Sequence, residues 1–317
     1  MLTKEQLSFF DAHGYLVVDN LLDHETILNP LIAEYEALLS DLRAHWVARG
    51  DLDPDAPSDN FQDKILSAYR AGLDYFQPMD ISLPPGNIQL STPFHAGAAV
   101  FNMMTSRQLL DVVEGLLGPE ITCNPIQHVR IKPPASELAS SEIRAHITST
   151  DWHQDRAVTL EEADETRMLT VWLAITDATP ENGCLQVIPG SHKGRMQPHC
   201  PNPQVGIPRA FLDLHKAKPI PVKRGGGILF HPLTIHGSLT NQTNRVRWSF
   251  DLRYNVTGEP TGRPMFPSFV ARSRTDPASE LRNAEAWRQL WVDCRRRLSA
   301  MGETTIHRWS PEAAHCA

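Results

Sequence analysis

Apolar positions along the chain change period twice, and the changes divide it into three stretches. Residues 3–13 carry Leu7, Phe9 and Phe10 behind a Thr3/Gln6 pair at capping-box spacing, which predicts a short helix with an apolar face, ended by Gly14. Tyr15-Leu16-Val17-Val18 then reads as a buried strand. Over 24–48, Leu28, Leu31, Ile32, Tyr35, Leu38, Leu39, Leu42 and Trp46 recur at helical spacing and predict one long amphipathic helix. An Asp-, Pro- and Ser-rich stretch at 50–60 reads as an exposed loop. A further helix spans 109–117 and is stopped by Gly118-Pro119. Beyond it the period shortens. Strands are predicted at 121–131, 169–175, 185–188, 227–230 and 246–254, separated by turn clusters such as Pro180-Glu181-Asn182-Gly183 and Gly225-Gly226-Gly227. Short strands with regular turns predict an all-β sandwich or barrel core. Helical spacing returns over 280–298, where Trp287 and Trp291 read as core packing and Arg295-Arg296-Arg297 as a solvated helix end. No linker or repeat is visible. The expectation is one domain over 1–317: a helical part (1–118), a β core (119–257) and a helical tail (258–317).

Composition narrows the class. Hydrophobic residues make up 41% and charged residues 21% of the 317, an ordinary globular balance. A formal net charge of -7 and a pI near 6.0 argue against nucleic acid as a general partner. No apolar run approaches the roughly 18 residues of a membrane helix, and the charged N-terminus lacks a signal-peptide core. The five cysteines (Cys123, Cys184, Cys200, Cys294, Cys316) are scattered, with no CxxC pair. They predict a reduced, cytoplasmic protein whose thiols are packing residues.

The candidate chemistry begins at Asp151-Trp152-His153-Gln154-Asp155. On extended backbone, residues two apart share a side, so His153 and Asp155 can offer an imidazole and a carboxylate to one ion. His236 follows far along the chain, and Arg247 lies eleven residues beyond it. Two histidines and one carboxylate on one face of an octahedral ion leave three positions, two for a 2-oxo acid and one for dioxygen (O2). This arrangement suits Fe(II). Arginine grips a carboxylate with a planar fork, which points to Arg247 as the clamp for 2-oxoglutarate, with Arg245 as the alternative. HxD alone carries little weight among fourteen histidines. The ordered set of HxD, a distant His and an Arg at plus eleven is far more restrictive.

These blocks resemble the phytanoyl-CoA dioxygenase family of Fe(II)/2-oxoglutarate oxygenases. The resemblance runs over about residues 1–255, through LTKEQLSFFDAHGYLVVDNLL, IKPP, WHQD, LTVWLAITDAT, ENGCLQVIPGSHKG and GGILFHPLTIHGSLTNQTNRVRWSFDLRY. It implies a mainly β fold with flanking helices, built on a double-stranded β-helix (a cupin-like jelly-roll). It implies metal ligation by His153, Asp155 and His236 and co-substrate binding by Arg247, with Gln154, Trp172 and Ser238 lining the co-substrate pocket. Gln127 and His128 both remain candidates to reach the co-substrate. The activity implied is hydroxylation of a C–H in a small molecule, a natural product or acyl derivative, with release of succinate and CO2; desaturation, epoxidation and ring rearrangement use the same triad and stay open. Related halogenases carry a small residue in place of the carboxylate, so Asp155 disfavours halogenation. The segment 135–147 reads as a longer loop, either a wall of the substrate pocket or a solvated excursion. Phe94, His95 and 101–103 are further candidates for substrate contact.

Two rival readings come from other classes. A cupin-like binding protein without catalysis would have lost a ligand or the arginine, and none is lost. A zinc hydrolase would need a tetrahedral ligand set and a base, and Arg247 would have no role in it. His231, five residues before His236, reads either as a support for the metal ligands or as a pocket-edge or surface histidine. His192 sits in a tight turn at Pro189-Gly190-Ser191 and need not touch the metal, and His13, His24, His45, His146, His199, His215, His307 and His315 have no ligand spacing.

Overall fold

The structure is a computed structural model describing residues 2–84, 86–144, 146–201, 204–302 and 308–316. Its strands are β1 (Tyr15–Val18), β2 (Glu120–Cys123), β3 (His128–Lys132), β4 (Met168–Ala174), β5 (Leu185–Val187), β6 (Lys218–Ile220), β7 (Gly227–Phe230), β8 (His236–Ser238), β9 (Arg247–Val256) and β10 (Phe269–Ser273). The α-helices are α1 (Lys4–His13), α2 (Asn29–Ala48), α3 (Phe61–Arg70), α4 (Phe76–Met79), α5 (Ala98–Met104), α6 (Arg107–Leu117) and α7 (Ala284–Met301).

Alternation along β9 sets the layering. Trp248, Phe250, Leu252, Tyr254 and Val256 alternate with Arg247, Ser249, Asp251, Arg253 and Asn255, and all ten are buried. Successive side chains of a strand face opposite ways, so β9 presents one apolar and one polar face to the interior. Its apolar face joins Val129, Ile131, Val171 and Leu229 under the helices, in one core with Leu31, Tyr35, Leu39 and Trp291. The opposite face of the same sheet packs on the smaller sheet through Trp172, Ile228 and Phe230 against Leu185, Val187 and Ile220. The polar residues of β9 lie on this second side.

Both sheets are antiparallel. The larger runs β1-β7-β4-β9-β2-β10, and β3 pairs with β9 on the edge that β2 also uses. The smaller runs β6-β5-β8. A helical layer, a large sheet and a small sheet therefore stack in that order. No helix among the described residues is long and apolar enough to cross a membrane.

Several expectations hold and others are corrected. Thr3 and Gln6 form the capping box of α1, but Leu7 and Phe9 stay exposed, because Phe10 alone of that face packs on the core. The predicted 24–48 helix is a π-helical turn (His24–Leu28) followed by α2, with Pro30 near the junction. The single strand predicted at 121–131 is two, separated at Asn124-Pro125-Ile126, where Pro125 has no N–H for a ladder. Trp287, Trp291, Cys294 and Leu298 of α7 are buried, as packing residues. The cysteine reading needs correction. Cys123, Cys184 and Cys294 are buried thiols, but Cys200 and Cys316 form a disulfide because the tail folds back onto the loop carrying Cys200. Disulfides persist in oxidising surroundings, so the cysteines lend the expected cytoplasmic placement no support.

Candidate metal centre

The site is built where β8 meets the segment after Thr150. His153 and His236 exchange backbone hydrogen bonds, His153 N to His236 O at 2.9 Å and His236 N to His153 O at 3.0 Å. This bridge sets the two rings side by side, with centroids 4.3 Å apart. Gln154 is extended (φ -117, ψ 135), so Asp155 projects to the same side as His153. The Asp155 carboxylate then reaches both rings: His153 Nε2 is 3.7 Å from Oδ1 and His236 Nε2 is 3.7 Å from Oδ2. One donor atom from each of the three lies within 4.8 Å of the others.

Hydrogen bonds fix which nitrogen faces the site. His153 Nδ1 donates to Asp151 O at 2.8 Å, and His236 Nδ1 to Thr234 O at 3.0 Å. A neutral ring that donates from Nδ1 keeps its lone pair on Nε2. Burial, helped by neighbouring His153, pushes His236 down to about 4, so its ring is neutral at ordinary pH. Burial opposes ionisation of Asp155, but Arg253, His236 and His153 outweigh it and hold the carboxyl well below its usual range. Asp155 Oδ2 is buried without a hydrogen-bond partner. Buried polar atoms are nearly always satisfied, and a buried anionic oxygen 3.7 Å from the His236 Nε2 lone pair is satisfied by a cation. The donor set of two nitrogens and one carboxylate oxygen thus fits a divalent transition metal.

The cavity beside the triad is lined by Thr170, Trp172, Phe230, Arg130, Arg247 and Asp251, among others. Arg247 is fully buried, 5.4 Å above the Trp172 ring. Its Nη1 donates to Ser249 Oγ at 2.6 Å, while Nε and Nη2 have no partner. Thr170 Oγ1 and Trp172 Nε1 are likewise unpartnered. Burial lowers Arg247 to about 10, which still leaves it charged. Arg245, the alternative clamp, is exposed and lines a different surface groove.

The structure separates the remaining candidates. Trp172 lines the triad cavity. Gln154 is buried but turned away from it: its Nε2 donates to Leu233 O and its Oε1 accepts from Gln197 N. Ser238 stands behind the wall, where its Oγ accepts from Lys132 Nζ at 2.8 Å and Thr150 N at 2.7 Å. Gln127 is held by Cys123 and Asn124, and His128 by Asp80. Neither lines the triad cavity. His231 accepts from Leu233 N and lies tilted against His192, ring centroids 5.2 Å apart. His95 pairs with Glu34, while Phe101 and Met103 are core residues. The 135–147 segment is tied to α3 by Arg70–Glu137, and Ala145 within it lies outside the described residues, as does His307.

Four charged residues were missed. Arg130, half-buried, pairs with buried Asp251, Arg253 pairs with Asp155, and Lys132 lies opposite Arg247 in the β3–β9 register. Burial, with Arg247 and Arg130 nearby, pushes Lys132 well below its usual range. The signal was present in the period-2 placement of Arg247, Asp251 and Arg253 on β9 and of Arg130 and Lys132 on β3.

Comparison with known proteins places this arrangement. The chain is 36% identical over 271 residues to mouse phytanoyl-CoA dioxygenase domain-containing protein 1, covering 78% of this chain and 88% of that one. It is 26% identical over 264 residues to human peroxisomal phytanoyl-CoA dioxygenase, covering 78% of this chain and 66% of the human protein. Among solved structures, the apo form of the non-heme monooxygenase ThoJ superposes with a TM-score of 0.56 at 21% identity, over 93% of this chain and 97% of that one. That likeness is one of fold. The phytanoyl-CoA dioxygenase (PhyH) family pattern itself matches residues 10–249, a stretch that holds His153, Asp155, His236 and Arg247 together. On that match the chain belongs to the phytanoyl-CoA dioxygenase family.

Proposed function

We propose that this chain is an Fe(II)- and 2-oxoglutarate-dependent oxygenase that hydroxylates a C–H bond of a small organic molecule, releasing succinate and CO2. The observation that carries the reading is the pairing of two unsatisfied sites in one cavity: the Asp155 carboxylate, whose two oxygens face His153 Nε2 and His236 Nε2 and whose Oδ2 is unpartnered, and the Arg247 guanidinium with Nε and Nη2 unpartnered. His153, Asp155 and His236 would hold the metal, which supplies dioxygen activation coupled to oxidation of a 2-oxo acid.

The protein's own residues do the rest. The Nδ1 bonds to Asp151 O and Thr234 O orient the two rings. Arg253 holds Asp155 ionised and in place. Arg247 receives the distal carboxylate of 2-oxoglutarate, with Trp172 over its guanidinium face. Lys132 and Ser238 close the wall behind it. The space at the triad measures about 20 Å³, so seating a five-carbon diacid requires the lining side chains to move apart.

The two opposed antiparallel sheets with the site between them support a jelly-roll of the double-stranded β-helix type, in one domain over 1–317. Asp155 stands where halogenation would need a small residue. A zinc hydrolase leaves the buried Arg247 without work, and a binding protein without catalysis has no reason to keep the whole set.

The test is consumption of 2-oxoglutarate with succinate release by protein loaded with Fe(II), in air. Dependence on both iron and dioxygen, abolished by His153→Ala and Asp155→Ala, supports the reading. Iron-loaded protein that never turns over 2-oxoglutarate with any small-molecule mixture overturns it.

A further inference from the structure

A second cavity of about 160 Å³ shares His153, Arg130 and Arg253 with the triad cavity. Its walls include the apolar side chains of Val158 and Phe266 and the three cations Arg130, Arg253 and Arg263. Two of these cations are already neutralised, Arg130 by Asp251 and Arg253 by Asp155. Arg263 is not. It is 5% exposed, pairs with no carboxylate among the described residues, and its Nη1 is buried with no hydrogen-bond partner. Burial and the nearby Arg253 lower it to about 10, still charged at neutral pH. A buried cation without an anion is strongly unfavourable, and a guanidinium can hardly shed its charge. The expected remedy is an anion from outside the chain.

Arg263 is also held in place relative to the triad. Its Nη2 donates to Val158 O at 2.6 Å, three residues after Asp155. Gly262, at φ +73, accepts from Leu160 N at 3.0 Å, and a Cβ there would lie 2.5 Å from Thr159 Cβ. The loop is thus strapped to the turn that follows the metal-binding carboxylate.

We propose that this cavity is the substrate seat and that it takes a small molecule with a free carboxylate and an apolar body. The carboxylate meets Arg263 Nη1, and the body lies along Val158 and Phe266 toward His153. The inference rests on the oxygenase reading above and names the substrate class for it. The cavity holds about five water volumes, enough for a short acid and far too little to enclose coenzyme A. A coenzyme A thioester also lacks the free carboxylate that Arg263 would recognise.

The test uses matched probes: hexanoate and phenylpropanoate, their primary amides, and hexanoyl-coenzyme A. Each is titrated without air into protein loaded with Fe(II) and 2-oxoglutarate, and binding is read both by calorimetry and by the visible band of the bound 2-oxo acid. The acids should saturate, with the amides weaker by about 30-fold or more, as expected for loss of one partner of a buried charge pair. Arg263→Gln should weaken the acids to the level of the amides, and Arg263→Lys should restore part of the difference. Amides equal to acids, Arg263→Gln equal to wild type, a preferred thioester, or no saturable binding of either acid would each overturn the proposal. A missing band before any probe is added would count against the 2-oxoglutarate reading instead, while calorimetry still reports on Arg263.

Discussion

Arg253 donates to Oδ1 of Asp155 from the polar face of β9 that also carries Arg247. One strand therefore presents both the cation that steadies the candidate metal carboxylate and the cation proposed to hold the co-substrate. A buried ion pair of this kind adds little net stability; its work is to keep Asp155 ionised and aimed. Arg253→Gln should lower affinity for Fe(II), or for a redox-inert divalent surrogate, about 10- to 100-fold, the usual cost of losing a partner of a metal ligand. Competition against a chelator measures it, and unchanged affinity would remove Arg253 from this role.

Arg247 and Lys132 face each other across the β3–β9 ladder. Arg247→Lys keeps a charge but loses the planar fork. It should raise the KM for 2-oxoglutarate by about 30-fold or more, with metal affinity little changed. A metal-affinity loss equal to the loss in 2-oxoglutarate binding would show that Arg247 acts through the triad instead.

Acid should unfold the metal-free protein early. Burial pushes His199 to about 3 and His231 and His236 to about 4, against an ordinary value of 6.5. As pH falls through 6.5 the unfolded chain takes up protons that the folded chain refuses, so stability drops, and it keeps dropping until the folded sites titrate near 3–4. Each histidine contributes on the order of 1–3 kcal/mol over that window. Denaturant midpoints of metal-free protein between pH 7 and pH 4 (about that range) check it. Stability that is flat until pH falls below the folded values would contradict it.

The tail is docked beside the segment that carries His153 and Asp155. Trp309 Nε1 donates to Ala157 O at 2.8 Å, Arg308 to Arg156 O at 2.7 Å, and Cys316 is bonded to Cys200. A cross-link closing so long a loop typically contributes about 2–4 kcal/mol. Cys316→Ser, or mild reductant, should lower Tm and expose the thiol of Cys200 to labelling. An unchanged Tm with both thiols labelled in the untreated protein would show that the pair does not form.

Local signals made the candidate site legible before the structure. His153 and Asp155 sit two apart on extended backbone, and Arg247 heads a strand whose β pattern was plain. What escaped depends on partners far along the chain. β8 has only three residues, and His236-Gly237-Ser238 becomes a strand through pairing with Leu185–Val187. Gln154 sits between two metal-ligand candidates, yet its side chain turns outward because Leu233 and Gln197 satisfy it. Arg263 looks like any loop arginine until Gly262 lets its loop close on Thr159 and the guanidinium reaches Val158 O. The Cys200–Cys316 pair, 116 residues apart, has no local signature at all.

The most direct test of the central claim is the visible spectrum of protein purified without air and loaded with Fe(II) and 2-oxoglutarate. A weak charge-transfer band in the wild type, lost in His236→Ala and diminished in Arg247→Ala, is the predicted result. Iron bound to the wild type with no such band would contradict the assignment of this cavity to a chelated 2-oxo acid.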